Sequence, residues 1–290
     1  MESSDVQKSG NSTHASNARF REELSRRTFL AETAGGIGKL PILIALPTLL
    51  LPRFAMSSQV SADDPRIRTE KLAITAEWGK LECYLARPKV EGPLPGVILA
   101  HDKLGLTPHF EDVARRLALE GFIALAPDYA SRFGGTPSES GPALEVVGMT
   151  KPLEMTADTQ MTLLWLKENG AKELGAMGFG LGGTAIGYAA ARLPDLMATV
   201  IYYGHPTPLA DVGGLKAPIL LNLAGKDQFI DPEIPDFVEA MKNTGVKLEL
   251  YTYEGTGRGF DDDSAPAHYS ADAAKLAWSR TIGFLKAAFV

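Results

Sequence analysis

The chain has 290 residues, 45% of them hydrophobic and 22% charged, which is enough apolar material for one large globular domain. Its formal net charge is −6; seven of the 29 basic and five of the 35 acidic residues fall in the first 56, which leaves 22 and 30 and a charge of −8 over the rest. That balance argues against nucleic acid or an anionic membrane as partner, since both need basic patches, and the single cysteine, Cys83, excludes an intrachain disulfide.

Residues 1–24 are polar and carry no apolar periodicity, the composition of a disordered segment. Ser25-Arg26-Arg27-Thr28-Phe29-Leu30 then precedes a mostly apolar stretch over 37–51. Twin arginines ahead of an apolar segment resemble a bacterial twin-arginine export signal. The apolar stretch is short and holds Pro41 and Pro47, so it makes a poor membrane-spanning helix. Small residues suited to cleavage occur at Ala55-Met56-Ser57 and at Val60-Ser61-Ala62, with nothing to choose between them. Residues 1–62 are therefore read as a polar region plus export signal and 63–290 as the folded domain. Export to the periplasm or beyond is expected, with no stable membrane association once the signal is removed. An uncleaved signal anchor and an ordinary amphipathic N-terminal segment are the alternatives. A lone cysteine suits an oxidising compartment.

From about residue 66 the pattern becomes regular. Residues 68–77 and 80–87 predict two strands of a hairpin around Gly79, with Leu81, Cys83 and Leu85 on one face and the thiol buried and inert. Residues 96–101 form a continuous apolar run, as in a strand buried on both faces. Phe110, Val113, Ala114 and Leu117 recur at helical spacing over 109–119, and 122–126 is another buried strand. Residues 134–152, rich in Gly, Pro, Ser and Glu, are expected to be a surface loop long enough to act as a lid. Helices follow over 156–168, 184–192, 235–243 and 271–289, and strands over 174–179, 197–203, 218–223 and 246–253. Strands alternating with helices predict an α/β fold with a mostly parallel central sheet and helices on both faces. No repeat or linker divides the domain.

Residues 177–183, M-G-F-G-L-G-G, sit where a strand gives way to a helix. In an α/β-hydrolase a sharp turn of this build lifts a Ser or Cys above the sheet, at the centre of G-x-S-x-G. Its central residue here is Gly180, which carries no attacking atom.

Three segments in order resemble the dienelactone hydrolase family of α/β-hydrolases: Pro95-Gly96-Val97-Ile98-Leu99 through Gly121-Phe122 to Ala126-Pro127-Asp128; the turn at Gly178-Phe179-Gly180-Leu181-Gly182-Gly183; and Tyr253 to Phe260 followed by Ala277-Trp278 and Phe284-Leu285. The resemblance spans essentially all of 66–290 and implies the α/β-hydrolase fold. It also implies hydrolysis of lactones or esters by a Cys or Ser nucleophile, a His base and an Asp that orients the His, in the chain order nucleophile, acid, His. Carried over position by position, the nucleophile site is Gly180, the acid site Asp227 and the base site Arg258, where the family has Gly-His-x-Phe and this chain has Gly257-Arg258-Gly259-Phe260. Arginine stays protonated and cannot act as base. Two of three catalytic positions are replaced, so hydrolysis is expected to be absent or weak.

The resemblance places the oxyanion-hole donors on the backbone, at Leu181 and near Lys103 or Leu104. Asp227 and Arg258 are expected within reach of each other. Either they form a partly buried ion pair, or Arg258 keeps part of its fork for a carboxylate or phosphate held against the amides around Leu181. His101-Asp102 stands where the family often carries Gln-Glu and is expected to line the pocket, with His101 a candidate displaced base. His205, at the end of a strand, is the other candidate for a rearranged hydrolase. His109 and His268 are expected on the surface, and Asp261-Asp262-Asp263 as a solvated acidic turn without the spacing of a calcium loop. No dinucleotide fingerprint, phosphate loop or His/Cys metal cluster is present in the sequence, so no cofactor is expected. The expected partner is a small ester, lactone or carboxylate.

Overall fold

Apolar alternation in this chain builds one eight-stranded sheet. The structure, a computed structural model, describes residues 58–289, so the export signal and the first candidate cleavage point, Ala55-Met56-Ser57, lie outside the described residues, and the second, Val60-Ser61-Ala62, lies within them. The strands are β1 (Ile67–Ala76), β2 (Gly79–Pro88), β3 (Leu94–Ala100), β4 (Ile123–Pro127), β5 (Ala171–Phe179), β6 (Ala198–Tyr202), β7 (Ile219–Ala224) and β8 (Leu248–Tyr253). Their order across the sheet is β1-β2-β4-β3-β5-β6-β7-β8. Only the pairings of β2, with β1 and with β4, are antiparallel; β4 through β8 run parallel. The β1–β2 hairpin closes with Ala76 opposite Gly79.

The helices are α1 (Pro108–Leu119), α2 (Ser140–Gly148), α3 (Pro152–Glu168), α4 (Leu181–Arg192), α5 (Ile234–Met241) and α6 (Ala271–Ala288). Strand side chains alternate between two cores. Leu81, Cys83, Leu85, Ile98 and Ala100 pack with Leu163 and Leu166 of α3, Ile186 and Ala189 of α4 and Phe237 of α5. Tyr84, Ala86, Val97 and Leu99 pack with Val113 and Leu117 of α1 and Phe284 and Leu285 of α6. Burial pushes the Cys83 thiol well above its ordinary range, so it stays protonated and unreactive. This is the mostly parallel sheet, covered on both faces, expected from the alternation.

Residues 134–152 are not a plain loop. They contain α2, whose Ala143 and Val147 are buried one helical turn apart. That i,i+4 pair supplies the apolar anchor that lets a short Gly- and Pro-flanked segment fold as a helix.

Candidate functional site

Because β3 and β5 to β8 run parallel, the residues that follow them gather along one edge of the sheet, the edge where ligands bind in open α/β folds. Asp102 follows β3, Gly180 follows β5, His205 follows β6, Asp227 follows β7 and Arg258 follows β8.

The turn at Gly180 is sharp. Its φ is 49° and ψ −111°, a conformation strained for any residue with a side chain and open to glycine. Gly180 N–H donates to the Tyr202 carbonyl at 2.9 Å, and its own carbonyl accepts from Thr184 N at 3.0 Å. Gly182, next along, lies so close to β3 that a Cβ there would meet the His101 carbonyl at 2.3 Å, which is why the helix start is built of small residues.

What fills the space above Gly180 is Asp102. A Cβ placed on Gly180 would meet Asp102 Oδ1 at 2.1 Å and Cγ at 2.4 Å. The same Oδ1 accepts the backbone N–H groups of Lys103 at 2.7 Å and Leu181 at 3.0 Å. The Leu181 amide, and that of Lys103 out of the alternatives Lys103 and Leu104 that the resemblance left open, thus converge on one oxygen, and that oxygen belongs to the protein. Leu104, half-buried, follows in the tight turn that Gly105 N–H closes onto the Asp102 carbonyl at 2.9 Å. Burial raises the Asp102 pKa, with the Leu181 and Lys103 amides acting in the opposite direction. The sequence pointed to Asp102 as pocket lining, but not into this slot.

Asp102→Asn tests that electrostatic cost. The unfolded chain releases the Asp102 proton in the ordinary carboxylate range near 3.8, and the folded chain holds it to higher pH, so ionised Asp102 lowers stability as pH rises above that range. Asparagine keeps an oxygen for both amides and carries no charge. Asp102→Asn is expected to raise Tm at pH 7, with a gain that disappears below pH 3.8, read by thermal melts across pH.

His101 is fully buried and fully used. Its Nε2 accepts the Tyr129 N–H at 3.1 Å, which places the ring proton on Nδ1, facing the Asp102 carbonyl at 2.8 Å. Burial lowers its pKa, so it is a neutral, hydrogen-bonded wall and not a free base. His205 is 43% exposed and its Nδ1 lies 2.9 Å from Glu233 on the segment before α5. His268 is exposed, as expected.

Asp227 and Arg258 meet. Arg258 Nε donates to Asp227 Oδ2 at 2.7 Å; the carboxylate is 3% exposed and the guanidinium 38%. Asp227 also accepts the N–H groups of Phe229 at 3.2 Å and Ile230 at 3.3 Å. The guanidinium carbon sits 5.3 Å from the centre of the Phe229 ring, and Arg258 Nη2 is buried without a hydrogen bond. Lys226, Gln228, Phe229 and Asp231 line an open cleft beside it. β7 lies two strands from β5, about 10 Å across the sheet.

Two further expectations are overturned together. His109 is not a surface residue: it is 3% exposed, and Asp261, Asp262 and Asp263, expected as a solvated turn, close around its ring. Burial pulls its pKa down, and the carboxylates of Asp261, Asp263 and Asp262 outweigh that and raise it to about 10. The helix start and the acidic turn lie about 150 residues apart in the chain, so no local pattern announced their meeting.

Residues 81–289 match the dienelactone hydrolase family. The chain belongs to that family. Among curated relatives, "Protein usf" of Aquifex pyrophilus is 32% identical over 217 residues, 71% of this chain and 93% of that protein. A protein named "Putative carboxymethylenebutenolidase" in Escherichia coli (strain K12) is 31% identical over 248 residues, 79% of this chain and 91% of its own. Among solved structures, the "Putative Dienelactone Hydrolase from Klebsiella pneumoniae subsp. pneumoniae MGH 78578" superposes with a TM-score of 0.69 at 27% identity, over 75% of this chain and 98% of that one.

Proposed function

We propose that this chain is an exported member of the dienelactone hydrolase family that does not turn over esters by a nucleophile–acid–His triad, and whose pocket takes a small ester, lactone or carboxylate as ligand. The single observation that carries this reading is the Asp102 carboxylate, seated where the side chain of a residue at 180 would begin and accepting both amide donors. A substrate carbonyl entering the site meets a carboxylate in place of a nucleophile and free N–H groups. Arg258, standing at the base position, offers no lone pair. The oxyanion term, worth about 10²–10³ in rate for one donor, is lost together with the triad. Hydrolysis of p-nitrophenyl acetate is expected to run at the rate of a heat-denatured control. A rate matching an intact family hydrolase would overturn the proposal.

Export rests on Ser25-Arg26-Arg27-Thr28-Phe29-Leu30 and the apolar stretch after it. Changing Arg26 and Arg27 together to Lys is expected to retain the protein in the cytoplasm in a cell-fractionation assay, and unchanged export would refute the signal.

A second reading, an anion site at Arg258, is favoured by the buried, unpartnered Nη2 and the cleft beside it. It uses Arg258 and Lys226 and not the amide of Leu181, which Asp102 already occupies. Calorimetric titration with acetate and phosphate decides it: affinity unchanged in Arg258→Ala would rule out the site.

A further inference from the structure

The acidic turn around His109 does more than neutralise a charge. His109 opens α1; Asp261, Asp262 and Asp263 follow Phe260 beyond β8. His109 Nδ1 lies 3.2 Å from Asp262 Oδ1 and 3.6 Å from Asp263 Oδ1, and one ligand atom from each of the three residues fits within 4.8 Å of the other two. Neither ring nitrogen has a hydrogen-bond partner of normal geometry among the described residues, although carboxylate oxygens lie 3.2–3.7 Å from both. A histidine 3% exposed, with neither nitrogen in such a bond and carboxylate oxygens gathered beside the ring, offers the donors an ion would use.

We propose that His109, Asp262 and Asp263 form a binding site for a borderline divalent transition-metal ion such as zinc, tying the start of α1 to the segment that follows Arg258. The distances fit. Zinc binds imidazole nitrogen and carboxylate oxygen at about 2.0–2.2 Å, so two of its ligands lie about 3.0 Å apart at a right angle and about 3.4 Å apart at a tetrahedral angle. The observed 3.2 and 3.6 Å bracket the tetrahedral value.

The surroundings are those of a held site. A ligating imidazole turns its other nitrogen to a carboxylate; here Nε2 faces Asp261 Oδ2 at 3.7 Å, and Asp261 is fixed by the Tyr203 hydroxyl, which donates to Oδ1 at 2.6 Å. Ligating carboxylates are themselves hydrogen-bonded: Asp262 accepts from Ser264 N–H at 2.9 Å, and Asp263 from Gln59 Nε2 at 3.0 Å. The Asp262 side chain is 25% exposed, which leaves an entry path and room for water to complete the coordination. One imidazole among the donors favours zinc and its neighbours over calcium, which takes oxygen alone.

The test uses the full chain without an affinity tag, stripped by chelator. Titration with zinc chloride is expected to show one equivalent taken up, with Tm raised by about 5 °C or more at a hundredfold excess over Kd. Calcium chloride at the same concentration is expected not to compete. His109→Gln and Asp263→Asn are each expected to weaken zinc binding at least about tenfold, as loss of a ligand exceeds loss of the partners that orient one. Cobalt(II) in the unaltered protein is expected to give a hyperfine-shifted imidazole N–H resonance, a readout that needs no variant. No stoichiometric uptake by the unaltered chain, uptake at unchanged affinity in both variants, or a cobalt form without an imidazole resonance would each overturn the site.

Discussion

Gly180→Cys with Arg258→His is expected to leave the chain inactive toward p-nitrophenyl acetate, with hydrolysis emerging only when Asp102→Ala is added. The double variant restores an attacking thiol and a proton acceptor, with Asp227 in place to orient the imidazole. It does not restore the space. The new Cβ falls 2.1 Å from Asp102 Oδ1, far inside van der Waals contact, so either the carboxylate or the turn must move. The φ of 49° at residue 180 adds about 1–3 kcal/mol of strain for any non-glycine residue. If the carboxylate stays, it also keeps both amide donors, and the tetrahedral intermediate has nowhere to place its negative oxygen. Asp102→Ala removes the obstacle and frees both amides at once. The triple variant is therefore expected to exceed the double by at least about 10²-fold in kcat/KM, the worth of an oxyanion donor. Adding Asp227→Asn to the triple variant is expected to cost about 10⁴ in kcat by leaving the imidazole in the wrong tautomer. Steady-state kinetics on the four proteins decide it, and a double variant as fast as the triple would show that Asp102 does not block the site.

The obstacle itself was only half legible in the sequence. That Gly180 stands at a strand-to-helix turn follows from the apolar run before it and the small residues after it, both local. That the residue facing it is Asp102 depends on a contact across 78 positions (180 − 102), set by how closely β3 and β5 approach. The strands were legible because continuous apolar runs have few other uses, and the meeting of Asp227 with Arg258 because the resemblance set them at the acid and base positions of one triad. Helix α2 was hidden by its Gly, Pro and Ser content, although Ala143 and Val147 carried the helical spacing. His109 was misplaced for a related reason. A histidine at a helix start reads as solvent-facing unless something from far along the chain covers it, and three consecutive aspartates read as solvated unless they have a buried charge to face.

Arg258→Ala is expected to lower stability, and the size of the loss separates the two roles open to this arginine. Asp227 is 3% exposed, and stripping the partner from a fully buried carboxylate costs about 3–5 kcal/mol. Two features reduce that figure. The guanidinium is 38% exposed, so solvent already screens the pair, and the N–H groups of Phe229 and Ile230 stay on the carboxylate when Arg258 is gone. A loss of about 2 kcal/mol follows, or a Tm lower by about 4–8 °C. Asp227→Asn removes the charge that needs compensation and keeps an oxygen for the same amides, so Asp227→Asn with Arg258→Ala is expected to be less destabilised than the two single losses added together. The coupling is read from urea unfolding of the four proteins. A Tm unchanged in Arg258→Ala would mean that the pair contributes nothing to the fold, and would leave Arg258, with its unpartnered Nη2 beside the open cleft, as a residue kept for a ligand alone.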